Sequence, residues 1–156
     1  MARARKVELD CNAPFAGAAA RVVEVRTEEV FAQAQGVLDL DDVERVHDMR
    51  VATRRLRAAL EVFEACFPRK RHRKALKRVK ALADALGERR DRDVAIEFLE
   101  DCAADVAAAD REALAALVES LRDEQRAANR ELAPFVSRKR LKKLRCRLRE
   151  LVGAAS

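Results

Sequence analysis

The chain has no tryptophan and no tyrosine, and only four glycines and three prolines among its 156 residues. Single-stranded nucleic acid is usually held by stacking bases on aromatic rings, and six phenylalanines at mostly apolar positions support that poorly. Scattered glycines form no phosphate-cradling loop. Cys11, Cys66, Cys102 and Cys146 make no Cys-x-x-Cys pair and stand near no histidine cluster. Neither a zinc site nor a disulfide scaffold fits that spacing, so buried or idle thiols are expected.

No apolar run approaches the roughly 18 residues of a membrane span. The basic start Arg3-Ala4-Arg5-Lys6 is followed by no signal-peptide core, since Arg21 and Glu24 interrupt the one candidate stretch. A cytoplasmic protein without membrane attachment is expected. Carboxylates are also sparse where phosphate chemistry would need them. There is no run resembling Glu-x-Glu-x-Lys, and Asp91 and Asp93, two apart, do not share a helix face. No catalytic residue, metal or cofactor is expected.

Charge is abundant and unevenly placed. Residues 43–80 carry 13 basic against 4 acidic side chains and residues 138–156 carry 8 against 1, whereas residues 81–137 carry 7 against 14. Two basic blocks around an acidic one suggest a localised anion-binding surface, with two solvated helix faces as the plain alternative.

Apolar residues recur with helical period almost throughout, which predicts an all-α antiparallel bundle of about six helices. Residues 1–13 read as a tail and 14–156 as one domain. The first helix is predicted from Pro14 to Val37, burying Val22, Val30, Ala34 and Val37. A second follows from Val43 to Phe67, stopped by Pro68. A third runs from Lys70 to Leu86, with Gly87 as its C-terminal cap. A fourth starts near Asp91, capped by Asp91 or Asp93, and buries Val94, Phe98, Leu99, Cys102 and Val106. The fifth carries Leu114, Leu117, Leu121, Ala128 and Leu132 and ends before Pro134. Ser137 is positioned to cap a sixth, with Leu141, Leu144, Leu148 and Leu151 along one side.

On the second helix His47, Arg50, Arg54 and Arg57 fall in a sector of roughly 80°, opposite Met49, Leu56, Leu60, Phe63 and Phe67, at about 100° per residue. The third helix repeats the spacing with Lys70, Arg73, Lys77 and Lys80. Solvated helix faces ordinarily alternate sign at i, i+4, because like charges there repel. Two unbroken rows are therefore a site for an extended anion, whose phosphate oxygens suit arginine forks and lysine point charges. The other reading is a basic surface with counter-ions, partly neutralised by Glu61 pairing with Arg57. His47, at the head of its row, is either an ordinary surface histidine or a ring donor to the ligand.

The string Val46-His47-Asp48-Met49-Arg50-Val51-Ala52-Thr53-Arg54-Arg55-Leu56-Arg57, followed by Leu86-Gly87-Glu88-Arg89-Arg90-Asp91-Arg92-Asp93-Val94, resembles the CHAD domain, the conserved histidine α-helical domain. A looser likeness extends over residues 28–152, including Arg126 and Arg130. The resemblance implies a helical fold, binding of inorganic polyphosphate through basic helix surfaces, and association with polyphosphate granules. It makes His47, Arg50, Arg54 and Arg57 the ligand contacts, with Lys77 and Lys80 as weaker matches, and Arg73 joins them through its place in the second row. It makes Arg90, Asp91 and Asp93 a structural signature. Members usually hold two related halves around a basic channel, and this chain resembles the N-terminal half, so a homodimer is expected to supply the second wall. Nucleic-acid backbone binding and a protein-interaction adaptor are the alternative functions.

Overall fold

The computed structural model describes residues 3–10, 12–105 and 107–156, and these contain no strand. Cys11 and Val106 lie outside the described residues. The helices are α1 Phe15–Ala32, α2 Val43–Val62, α3 Arg69–Cys102, α4 Arg111–Val136 and α5 Arg138–Val152. Short 3-10 turns occupy Glu64–Cys66 and Ala108–Asp110. Among the described residues there are thus five α-helices rather than six, and none is long and apolar enough to cross a membrane.

The difference in number comes from Gly87. It caps nothing; α3 runs through it without interruption. A mid-helix glycine costs about 1 kcal/mol relative to alanine. Burying Val79, Leu82 and Leu86 before it and Ile96 after it offsets that, at about 1.5–3 kcal/mol for each large side chain. Asp93 does not cap a helix either. Its carboxylate accepts from Arg89 Nη1 at 2.5 Å, one turn back, and from Gln125 Nε2 of α4 at 2.6 Å. Arg89 is wholly buried, and its Nε and Nη2 have no hydrogen-bond partner among the described residues. Burial pushes the Asp93 carboxyl up and the Arg89 guanidinium down, while each charge holds the other ionised.

Other boundaries also moved. α1 stops at Ala32, and the chain turns through Gly36 at φ 75°. A Cβ there would stand 3.0 Å from Arg45 Cδ and Nε. α2 ends at Val62, and the 3-10 turn carries the chain to Pro68. α4 does not end before Pro134, which sits in its last turn. Ser137 does not cap α5 through its side chain; its hydroxyl donates back to the Pro134 carbonyl at 2.9 Å.

α3 is the axis of the packing, against which α2, α4 and α5 all lie. Arg50 of α2 meets α3 at Gly87, and Arg57 shares a carboxylate with Lys80. Seven residues forward on α2 match seven residues back on α3, so the two helices are antiparallel in fixed register. One further step back pairs Val43, the first residue of α2, with Val94. Beyond that point α3 has outrun α2. Val94 and Phe98, expected in the core, are 48% and 64% exposed, because the buried face of this stretch carries Asp93 and Ile96 instead. Leu117, also expected inside, is 49% exposed on α4, where Val118 turns inward instead.

The core itself follows the predicted faces: Val30, Val37, Met49, Leu56, Leu60, Phe67, Leu132, Leu144, Leu148 and Leu151 are buried. Val22, Ala34, Phe63 and Leu141 are partly buried beside them. Cys66 is buried, Cys102 half-buried and Cys146 exposed, all free thiols. His72, buried against the Phe67 ring, approaches the Leu60 carbonyl through Nε2 at 2.8 Å. A carbonyl only accepts, so Nε2 carries the proton and satisfies an otherwise unpaired C-terminal carbonyl of α2.

Replacing Arg89 by alanine strands a buried carboxylate and is expected to destabilise the fold by about 3–5 kcal/mol in urea denaturation. Exchanging the pair together, Arg89→Met with Asp93→Leu, should cost far less than the single change. Equal losses from both variants would show that the ion pair does not bind the two turns together.

Candidate anion-binding surface

Because Arg50 lies at Gly87 and Arg57 at Lys80, the two basic rows are not side by side along their lengths. They meet at one end. The antiparallel register places His47, Arg50 and Arg54 along α2, then Arg57 beside Lys80, and then carries the line back up α3 through Lys77, Arg73 and Lys70. The result is one cationic track rather than two parallel rails. It spans about 20 residue rises, or roughly 30 Å at about 1.5 Å per residue.

Glu61 stands at the junction. Its Oε1 lies 3.1 Å from Arg57 Nε and 3.0 Å from Lys80 Nζ. The pairing expected with Arg57 is present, and Lys80 is a second partner that spacing within one helix could not reveal. The Lys80 ammonium and the Arg57 guanidinium hold the Glu61 carboxyl below the usual carboxylate range. All three side chains are about 41–42% exposed, so each pair contributes only about 0.2–1 kcal/mol.

The remaining track residues are free of such pairing. His47, Arg50, Arg54, Arg73 and Lys77 make no ion pair among the described residues. Arg54, Arg73 and Lys77 are exposed, whereas His47 and Arg50 are half-buried. Arg50 lies across the α3 backbone, its Nε 4.0 Å from where a Gly87 Cβ would stand. The glycine expected to end a helix instead leaves room beside a track arginine. Beside the track, Arg54, Arg55 and Arg57 surround a shallow depression of about 420 Å³ on the outer face of α2.

Arg90, Asp91 and Asp93, read together as a signature, separate in space. Asp93 is buried in the α3–α4 seam, Asp91 is exposed, and Arg90 turns to Glu97 at 3.6 Å. The dominant member of that string is Arg89, for which the only signal in the sequence is its i, i+4 distance from Asp93. Arg126, included in the looser likeness, is exposed and paired to Asp123 at 2.7 Å.

The basic block on α5 divides into two parts. Arg145 bonds Glu28 of α1 and lies over the Phe31 ring at 4.8 Å, and Arg149 reaches the same carboxylate at 3.9 Å. These two fasten α5 to α1. Arg140 and Arg147 have no such partner and face α3 across a groove that also includes Lys74, Lys77 and Arg78. Sequence reasoning counted this charge but assigned none of it to a site. Among the described residues, no group of three or more His, Cys, Asp or Glu side chains is placed to hold a metal ion.

No curated protein matches the chain. The family model described as CHAD domain matches residues 21–156, from the first turns of α1 to the end of the sequence and including every track residue. The chain belongs to the CHAD domain family.

Proposed function

We propose that the protein is a non-catalytic module that binds inorganic polyphosphate along the α2–α3 track. One observation carries the reading: Arg57 and Lys80 meet at Glu61, so the basic rows of α2 and α3 join end to end over roughly 30 Å, with Glu61 at the join and Asp84 as the acid that closes the α3 row. A solvated face has no need of that order, whereas a flexible chain of phosphates has a negative charge to offer at every step. The arginines give forked donors to phosphate oxygens, Lys77 and Lys80 add point charge, and the half-buried His47 ring supplies a directional donor. Membership of a family associated with polyphosphate binding supports the same ligand. Duplex nucleic acid is the rival polyanion, because backbone contacts are electrostatic too.

Glu61 has a specific part in this reading. It neutralises the middle of the track, and an anion must displace it to contact Arg57 and Lys80. Glu61 thereby sets a ceiling on affinity without taking part in the contacts.

A single track covers one side of the ligand, so we further propose that polyphosphate draws two copies together with their tracks facing. The same patch then serves both subunits across a two-fold axis. Repulsion between two basic faces makes this pairing depend on the anion, by linkage.

Titration calorimetry at fixed salt should show long polyphosphate binding more tightly than pyrophosphate, ATP or duplex DNA, with affinity falling steeply as salt rises. Arg50→Ala with Arg54→Ala should remove most of that binding and leave the protein folded, costing about 0.5 kcal/mol at exposed Arg54 and about 1 kcal/mol at half-buried Arg50. Retained polyphosphate binding in that folded variant would exclude the track.

Glu61→Gln should strengthen polyphosphate binding by about two- to five-fold, the equivalent of removing one or two exposed ion pairs. Since the Glu61 carboxyl is already held below its ordinary value, that ratio should stay constant near neutral pH and close only on acidification, as the wild-type side chain becomes protonated. Weaker binding in the Gln variant would make Glu61 a support of the site instead.

Light scattering should give a mass that doubles when polyphosphate just long enough to cover one track, roughly 30 Å at about 1.5 Å per helical residue, is added. An unchanged mass with one tight site per chain would leave a single open track.

A further inference from the structure

A second basic feature lies outside the track. The N-terminal half of α3, the last turn of α4 and the face of α5 enclose a groove of about 420 Å³, within the size range of small-molecule sites. Lys74, Lys77, Arg78, Arg140 and Arg147 line it, and none of the five makes an ion pair among the described residues. No carboxylate lines it, unlike the track, which has Glu61 at its middle. Its floor is apolar, formed by Ala81, Leu82, Phe135 and Leu144. Phe135 is half-buried there and stacks on no other ring among the described residues.

The two halves of that lining call for different chemistry in one ligand. Five unpaired cations require several negative charges close together. An apolar floor gives nothing to an inorganic phosphate chain, which is ionic at every unit, but it gains when a flat apolar body displaces water from it. Base–aromatic stacking contributes about 1–3 kcal/mol and is indifferent to which base is present. The lining contains no amide or carboxylate side chain with which to read a base edge.

We propose that this groove is a second anion site, for nucleoside triphosphates, with the phosphates on the α3 and α5 cations and the base on the floor beside Phe135. Base identity matters little to it, and affinity rises with phosphate number. Lys77 borders both features, so a nucleotide in the groove and a polyphosphate on the track share one cation and otherwise bind separate residues. The inference does not depend on polyphosphate binding; each site has variants that leave the other's remaining contacts in place.

Calorimetry with magnesium-free ATP, AMP, adenosine and inorganic tripolyphosphate tests it. ATP is expected to bind about five-fold or more tighter than tripolyphosphate, the equivalent of 1 kcal/mol of stacking, with AMP weak and adenosine silent. Ala81→Trp fills the groove without changing charge and should abolish ATP binding while long polyphosphate binds as before. Should that variant fail to fold, judged by its circular dichroism, Arg140→Gln with Arg147→Gln on the exposed side of α5 replaces it and should weaken ATP at least ten-fold. Tripolyphosphate binding as tightly as ATP, or ATP binding unaltered in a folded groove variant, overturns the proposal. So does a fall in oligomer mass in the Arg140/Arg147 variant without any ATP binding to the wild type, which would assign the groove to a second copy of the chain.

Discussion

The Arg89–Asp93 ion pair lies one turn beyond Gly87, at the place where α3 is most easily broken, and Gln125 extends it to α4. A chain free to bend at Gly87 would let the basic half of α3 turn away from its acidic half. The pair lies wholly on the C-terminal side of Gly87, and through Gln125 it anchors that half of α3 to α4, while Val79, Leu82 and Leu86 bury the half before it. An uninterrupted α3 then fixes the rest. Its register with α2 puts Arg57 beside Lys80, its far end gives α4 a surface, and its near end receives α5. Buried ion pairs are weak stabilisers compared with apolar packing, and two orphaned guanidinium nitrogens make this one weaker. Its contribution is to geometry more than to stability.

The distribution of charge follows from that geometry. Three acidic side chains of the central segment join α3 to α4: Asp93 accepts from Gln125, Glu100 pairs with Arg122 and Glu124 with Arg92. On α5 the arginines facing α1 are likewise consumed by Glu28. The cations of the track and the groove, Glu61's two partners apart, make no ion pair among the described residues. The modest net charge of +6 thus understates the positive field at both.

The helical class, the apolar faces of α2 and α5 and the outward direction of the track residues were legible because each depends on spacing within one helix. Met49, Leu56 and Leu60 had to share a side, and Arg50, Arg54 and Arg57 had to share another. Helix breaks were less legible. Gly87 and Pro134 are unfavourable in a helix by local propensity, and tertiary burial overrode both. Val94 and Phe98 carry the right period for a core and are exposed because α3 turns Asp93 and Ile96 inward here, with Asp93 bonded to Gln125 of α4, a fact about which neighbour is present. The meeting of Arg57, Lys80 and Glu61 depends on register between helices, which no periodicity encodes. Arg89 looked like one more surface arginine in a charged string; its burial is visible only once Gln125 is brought against it.

If the track holds polyphosphate as proposed, its recognition is of charge at each step and not of chain ends. A polymer longer than the track would then extend past it, and length would be gauged only up to the footprint. Short oligomers leave part of the footprint empty, and very long ones become a lattice on which many copies compete for overlapping stretches. Affinity per molecule of protein should level off once the polymer covers roughly 30 Å at about 1.5 Å per helical residue, while the number of proteins per polymer keeps growing. Such an arrangement coats a chain of any length and lets bound copies shift along it without ever letting go.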